Sequence, residues 1–176
     1  KVGLCVHRMI GGELDNGDII ARDYLSIDRA TKVTVIWSWM QNRIPRLYLH
    51  AIEKLKENPQ YILEEQSKNP TDSLRCYSRT PEDGRIDWTA SNLKILRLIN
   101  ASNLPYSGAF CYLNDQKLIV WDAKLGESQE NFCAIPGQVI FIDQGVVGVA
   151  CGKGILHLHE IEYEGAICEP NVLIKS

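Results

Sequence analysis

The chain has 176 residues, 45% of them apolar, with 19 basic and 22 acidic side chains and a net charge of −3. This is the composition of an ordinary globular protein of one domain or one and a half, without the basic excess that neutralises nucleic-acid phosphates. No apolar run approaches the roughly 18 residues of a membrane span, and the opening KVGLCVHRM lacks the long apolar core of a secretory signal. The six cysteines form no Cys-x-x-Cys pair, which argues against a zinc ribbon or a redox motif. In a chain neither small nor loop-rich, reduced thiols and a cytoplasmic setting are expected.

Residues 2–9 alternate as a short strand, LDNG turns the chain, and DIIARDYLSI reads as a second strand. Asp-Asn-Gly between two such runs predicts an antiparallel hairpin. A chain that opens inside a strand with no lead-in reads as a fragment. From 29 to 57 two signals compete. KVTVIW is β-branched and favours strand, but Val33, Ile36, Met40, Ile44, Leu47, Ala51 and Leu55 recur at three- and four-residue steps, one face of a helix. Helix is the reading, kinked or restarted at Pro45 and stopped at ENP. Residues 58–80, polar and interrupted by prolines, form a connector. A short helix follows, with Thr89 or Ser91 as N-cap, Leu93, Leu96 and Ile99 on one side, and an end near Asn103.

Beyond Gly108 the period falls to two. GAFCYLN, QKLIVWDAKL, GQVIFID, GVVGVAC and ILHLHEIEYEG read as five strands. Turns are expected at Asn114-Asp115, from Gly126 to Pro136, at Asp143-Gln144-Gly145 and at Gly152-Lys153-Gly154. Five strands in so short a stretch predict a small barrel, whose closure removes sheet edges. EPNVLIKS reads as the start of a helix.

Few groups are candidates for chemistry. Asp15 and Asp18 flank Gly17 in a turn, where Asp and Gly are at home for geometric reasons alone; His7 precedes them on the incoming strand, where a hairpin can bring it near the turn, although a lone strand histidine reads as structural or exposed. His157 and His159 share a strand face beside Glu160, but no third ligand is evident and no metal site is predicted. CGKGI lacks the strand–loop–helix setting of a phosphate loop and reads as a hairpin turn. Trp37, Trp39, Trp88 and Trp121 read as core or domain-contact residues rather than base-stacking platforms.

Two stretches in register carry a family pattern. GLCVHRMIGGELDNGDIIAR resembles the later part of the catalytic domain of the 10-formyltetrahydrofolate-dependent formyltransferases, in which a segment like HRM leads to a loop of the type (Leu/Val/Ala)-Asp-x-Gly. RTPEDGRIDWTASNLKILRLINASNLPYSGAF resembles the same family's passage into its C-terminal domain, an Ile-Asp-Trp, a short helix and then Pro-(Trp/Tyr)-x-Gly-Ala-Phe. The resemblance implies an α/β plus β fold: the C-terminal remnant of a Rossmann-like formyltransferase domain over 1–60, a linker over 61–80, and a small OB-like β-barrel over 81–176. It places the family's catalytic Asp on Asp15 and not on Asp18, and it assigns no residue here to the folate.

The implied reaction is attack of a substrate amine on the formyl carbon of 10-formyltetrahydrofolate. Asn and His of an Asn-x-His motif act on the oxyanion and the proton, while the Asp holds the charge and position of that His. No Asn-x-His occurs in this chain, nor does the Ser-Leu-Leu-Pro segment, and both precede the Asp loop in the family. The helix of 29–57 is therefore expected to show an uncovered apolar face, and the chain alone is expected not to turn over. CVHRM and RTPEDGRIDW look closer to the amino-sugar formyltransferases, so the expected acceptor is a nucleotide-linked amino sugar. Methionyl-tRNA is the alternative, disfavoured by net charge; glycinamide ribonucleotide enzymes lack such a C-terminal barrel. A reading of another class is a non-catalytic OB-like binding or assembly module.

Overall fold

The computed structural model describes residues 1–12, 15–72, 74, 76–126 and 133–175. Glu13 and Leu14, and the part of the expected 126–136 turn spanning 127–132, lie outside the described residues. The chain divides into two compact units: Lys1–Asp28 with Val35–Ser78, and Arg29–Thr34 with Arg79–Ser176.

In the first unit, β1 (Val2–His7) and β2 (Ile19–Leu25) form the expected antiparallel hairpin, from Val2 opposite Leu25 to His7 opposite Ile19, with an irregularity between Val6 and His7. β1 stops at His7 rather than Met9, because the Arg8 amide already donates to Asp18 O, closing the loop at 2.9 Å. The connector runs back along β2: Ile19 N donates to Glu64 O (2.9 Å), Leu63 N donates to Ile19 O (2.8 Å), and Arg22 pairs with Glu64 at 2.6 Å. α1 (Val33–Glu57) begins four residues later than expected and runs unbroken through Pro45. Proline removes one backbone donor, and the remaining turns carry the helix past it. Its buried side is narrow, Leu47 and Ala51 packing on Ile20 and Ala21. Of the apolar face expected to lie uncovered, Ile44 is exposed while Leu47 and Ala51 are buried; Val35, Trp37, Tyr48, Leu49 and Ile52, off that face, are exposed.

In the second unit, α2 (Asn92–Ser102) is capped by Ser91, whose hydroxyl accepts from Lys94 N. Its buried face is Ile95, Leu96 and Ile99, with Leu93 only half-buried. Six strands follow: β3 (Ala109–Leu113), β4 (Gln116–Leu125), β5 (Val139–Asp143), β6 (Val146–Ala150), β7 (Ile155–Tyr163) and β8 (Ala166–Cys168). The spatial order is β3-β4-β7-β6-β5, the pairings between these strands all antiparallel, with β8 on the end of β7 beyond β6. The expected barrel is not what forms: among the described residues no pairing joins β3 to β5, and the sheet is open. β8 is the sixth strand that periodicity missed. Glu164 and Gly165, at φ 50° and 78°, make a turn too tight to separate it from β7 by composition. The tail helix is the single turn α3 (Pro170–Leu173).

The core of this unit gathers Ile95, Leu96 and Ile99 of α2 with Leu118 and Val120 of β4, Val147 and Val149 of β6, and Leu156, Leu158 and Ile161 of β7. The Gly of PYSGAF is needed here. A Cβ on Gly108, at φ +79°, would lie 2.2 Å from Ile119 Cγ2, so only glycine fits between the helix end and the sheet. Residues 29–34 are tied into the same unit: Asn100 donates to Arg29 O (2.9 Å), Thr34 Oγ1 donates to Leu104 O (2.6 Å), and Lys32 pairs with Asp122 at 2.6 Å.

Candidate active site

The loop from Arg8 to Asp18 is shaped by its backbone before its side chains are considered. Gly17 presses on the backbone just past β1, where an added Cβ would stand 1.8 Å from Arg8 O. Any other residue would push the loop outward. Asp15 takes φ 57°, a region that Asp tolerates better than most residues. The Gln66 side-chain amide donates to Gly17 O (2.6 Å) and to Asp15 O (3.1 Å), pinning the loop to the connector. The Arg8 guanidinium donates to Pro59 O (2.6 Å) and Tyr61 O (3.4 Å), fixing the base from the other side.

This backbone gives the two carboxylates different surroundings. Asp18 is turned inward, accepting from Gln66 N at 3.4 Å, with Lys68 Nζ at 3.9 Å. Asp15 is 76% exposed and has Oδ1 3.5 Å from His7 Nε2, whose side chain is only 20% exposed. The other ring nitrogen of His7 lies 2.9 Å from Arg8 O. An exposed pair at this separation adds little to stability, about 0–1 kcal/mol, so its interest is chemical. Beside it a hollow of ≈ 320 Å³ is lined by Val6, Ile20, Ala51 and Leu55, with His7 and Tyr48 among its polar groups. That is the lower end of the roughly 300–1,000 Å³ of small-molecule sites. An open carboxylate, a half-hidden imidazole and an apolar wall suit proton or charge management next to a flat organic ligand.

The sequence singles out Asp15 and Asp18 and offers a hairpin that brings His7 near their turn, but a lone strand histidine reads as structural or exposed, and its approach to Asp15 is seen in the structure. The signal was the hairpin register, which sets His7 opposite Ile19 and so next to the returning loop. The role of Gln66, 51 positions from Asp15, had no local signal.

Residues 79–175 match the family model of the formyl transferase C-terminal domain. The chain belongs to the formyl transferase family. Solved structures extend the likeness in fold. A HypX variant from Aquifex aeolicus superposes with a TM-score of 0.64 at 18% identity over 90% of this chain. HypX in complex with tetrahydrofolic acid gives 0.61 at 18% identity over 88%. WlaRD, a sugar 3N-formyl transferase solved in the presence of dTDP and 5-N-formyl-THF, gives 0.55 at 15% identity over 93%. The chain spans 28% and 26% of the two HypX chains and 55% of the WlaRD chain.

The remaining candidates find structural roles within this family member. His157 meets Phe141 edge-to-face at 5.1 Å, and among the described residues no group of three or more His, Cys, Asp or Glu side chains is placed to hold a metal. The CGKGI glycines form the β6–β7 turn, with Gly152 N donating to Trp88 O at 2.9 Å. Trp121 is a core residue whose indole donates to Glu162 at 2.9 Å, and Trp88 packs against the core, whereas Trp37 is exposed on α1. All six cysteines are free. Burial pushes the Cys111 and Cys151 thiols up to about 11, which makes them inert nucleophiles. No helix is long and apolar enough to cross a membrane among the described residues.

Proposed function

We propose that this chain is the C-terminal portion of an N-formyltransferase that moves a formyl group from 10-formyltetrahydrofolate to the amine of a nucleotide-linked amino sugar. In this reading residues 1–60 are the end of a Rossmann-like catalytic domain, 61–80 a linker, and 81–176 the C-terminal domain. Asp15 is the catalytic carboxylate. The observation that carries the reading is the contrast within one loop: Asp18 is engaged by the connector, while Asp15 stands open on a pinned backbone.

The bound folate would supply the formyl carbon at the oxidation level to be transferred. The hollow that His7 lines, 3.5 Å from Asp15 through its Nε2, is compatible with a flat heterocycle in size and lining. Asp15 would keep a neighbouring imidazole charged and oriented. The sugar acceptor draws its support from the likeness to WlaRD, and a net charge of −3 gives tRNA no electrostatic advantage.

The test is to assay the full-length protein with 10-formyltetrahydrofolate against nucleotide-linked amino sugars and against methionyl-tRNA. Formylation of the sugar amine is expected. Formylation of tRNA alone would replace the acceptor, and transfer to neither would favour the non-catalytic module. Asp15→Asn is expected to lower kcat/KM about 1,000-fold, within the span of positioned acid–base groups, and Asp18→Asn by less than about threefold. Wild-type rates in Asp15→Asn would remove Asp15 from the reaction.

A further inference from the structure

We propose that His7 is the positioning residue for Asp15, an inference that rests on Asp15 being the catalytic carboxylate. A carbonyl oxygen only accepts, so in its 2.9 Å contact with Arg8 O the His7 Nδ1 carries the hydrogen. This fixes both the tautomer and the ring plane, and it leaves Nε2 as the atom 3.5 Å from Asp15 Oδ1. In the neutral ring that nitrogen holds a lone pair. In the imidazolium it holds a proton and draws the carboxylate in.

The support behind the ring is rigid. His7 is the last residue of β1 and sits in register with Ile19. The carbonyl that holds its Nδ1 belongs to Arg8, which is tied through its amide to Asp18 and through its guanidinium to Pro59 and Tyr61. Asp15 itself is mostly exposed. Among the described residues, His7 Nε2 is the side-chain nitrogen that stands 3.5 Å from its Oδ1, and an exposed carboxylate with no such neighbour would wander among rotamers. The protonated ring therefore limits where the catalytic oxygen stands, and this is an action on the reaction through Asp15.

Substitutions can separate the two ends of the ring. Asparagine places an amide near the position of Nδ1, so His7→Asn can keep the Arg8 contact but not the one to Asp15. Glutamine reaches the position of Nε2 and can still donate to Asp15. In the full-length protein, His7→Asn is expected to lower kcat about tenfold, less than the roughly 100-fold that an ångström of misplacement can cost, with KM for the amine acceptor within about twofold. His7→Gln is expected to restore kcat to within about threefold of wild type. In an Asp15→Asn background, His7→Asn is expected to cost nothing further. Wild-type kcat in His7→Asn would overturn the proposal. So would a His7→Gln variant as slow as His7→Asn, or an undiminished tenfold effect in the Asp15→Asn background. Wild-type activity in Asp15→Asn alone would instead take down the assignment of Asp15, and with it anything His7 does through that residue.

Discussion

The two units divide stability and chemistry unequally. Among the described residues the C-terminal unit holds a core cluster of thirteen buried side chains, whereas the N-terminal unit gathers four. Yet the N-terminal unit carries the open carboxylate, the pinned loop and the hollow. Strand pairing and a helix face are enough to seat a loop accurately, because the loop's geometry comes from backbone contacts such as Arg8 to Asp18 and Gln66 to Gly17. They are not enough to bury a helix that is apolar on several sides, and α1 accordingly leaves Tyr48 and Leu49 exposed at 58% and 63%.

The strongest way to break this comparison is through the larger core. Leu156 is fully buried, and Leu156→Ala is expected to cost about 3 kcal/mol. Amides of β4, β6 and β7 should then exchange with solvent about 100-fold faster, while those of β1 and β2 keep their rate. Equal acceleration in β1 and β2 would mean that the two units unfold as one. The next test lies in the other unit. Gly17→Ala inserts a Cβ where Arg8 O already stands, so the loop must move, and a shift of that size is expected to lower activity of the full-length protein about 10- to 100-fold. The exchange of β4, β6 and β7 should be unchanged. A fully active Gly17→Ala enzyme would show that the loop position does not govern Asp15.

What the sequence revealed follows the range of its signals. The hairpin, a helix cap at Thr89 or Ser91 and the five longer strands were legible because each rests on neighbours a few positions apart. The register that faces His7 with Ile19, the hold of Gln66 on the Asp15 loop and the order of the sheet rest on partners far along the chain, which no local period encodes. Pro45 does not restart the helix, for a related reason: a helix-breaking preference belongs to one residue, whereas α1 is held by its whole length. The barrel was inferred from strand count. Closure depends on tilt and stagger as well, and strand count carries neither.

The smallest expected effect again separates the units, this time by pH. His157 lies on β7 with Phe141 against its ring, Gly126 close to its Nε2, Lys124 as its cross-strand partner and His159 two residues on. Burial first, and repulsion from His159 second, hold its imidazole below the usual histidine value of 6.5. The unfolded chain therefore takes up this proton more readily than the folded one. The stability His157 contributes as a neutral ring is present above pH 6.5 and is lost as the pH falls through its lowered native value. His157→Gln removes the titration while keeping a polar side chain there, so the melting temperature of the variant should fall less steeply than that of wild type on the acid side of 6.5. Exchange in β7 should flatten with it, and exchange in β1 and β2 should not respond to the substitution. An acid limb unchanged in His157→Gln would assign the sensitivity to other groups and leave His157 as a packing residue.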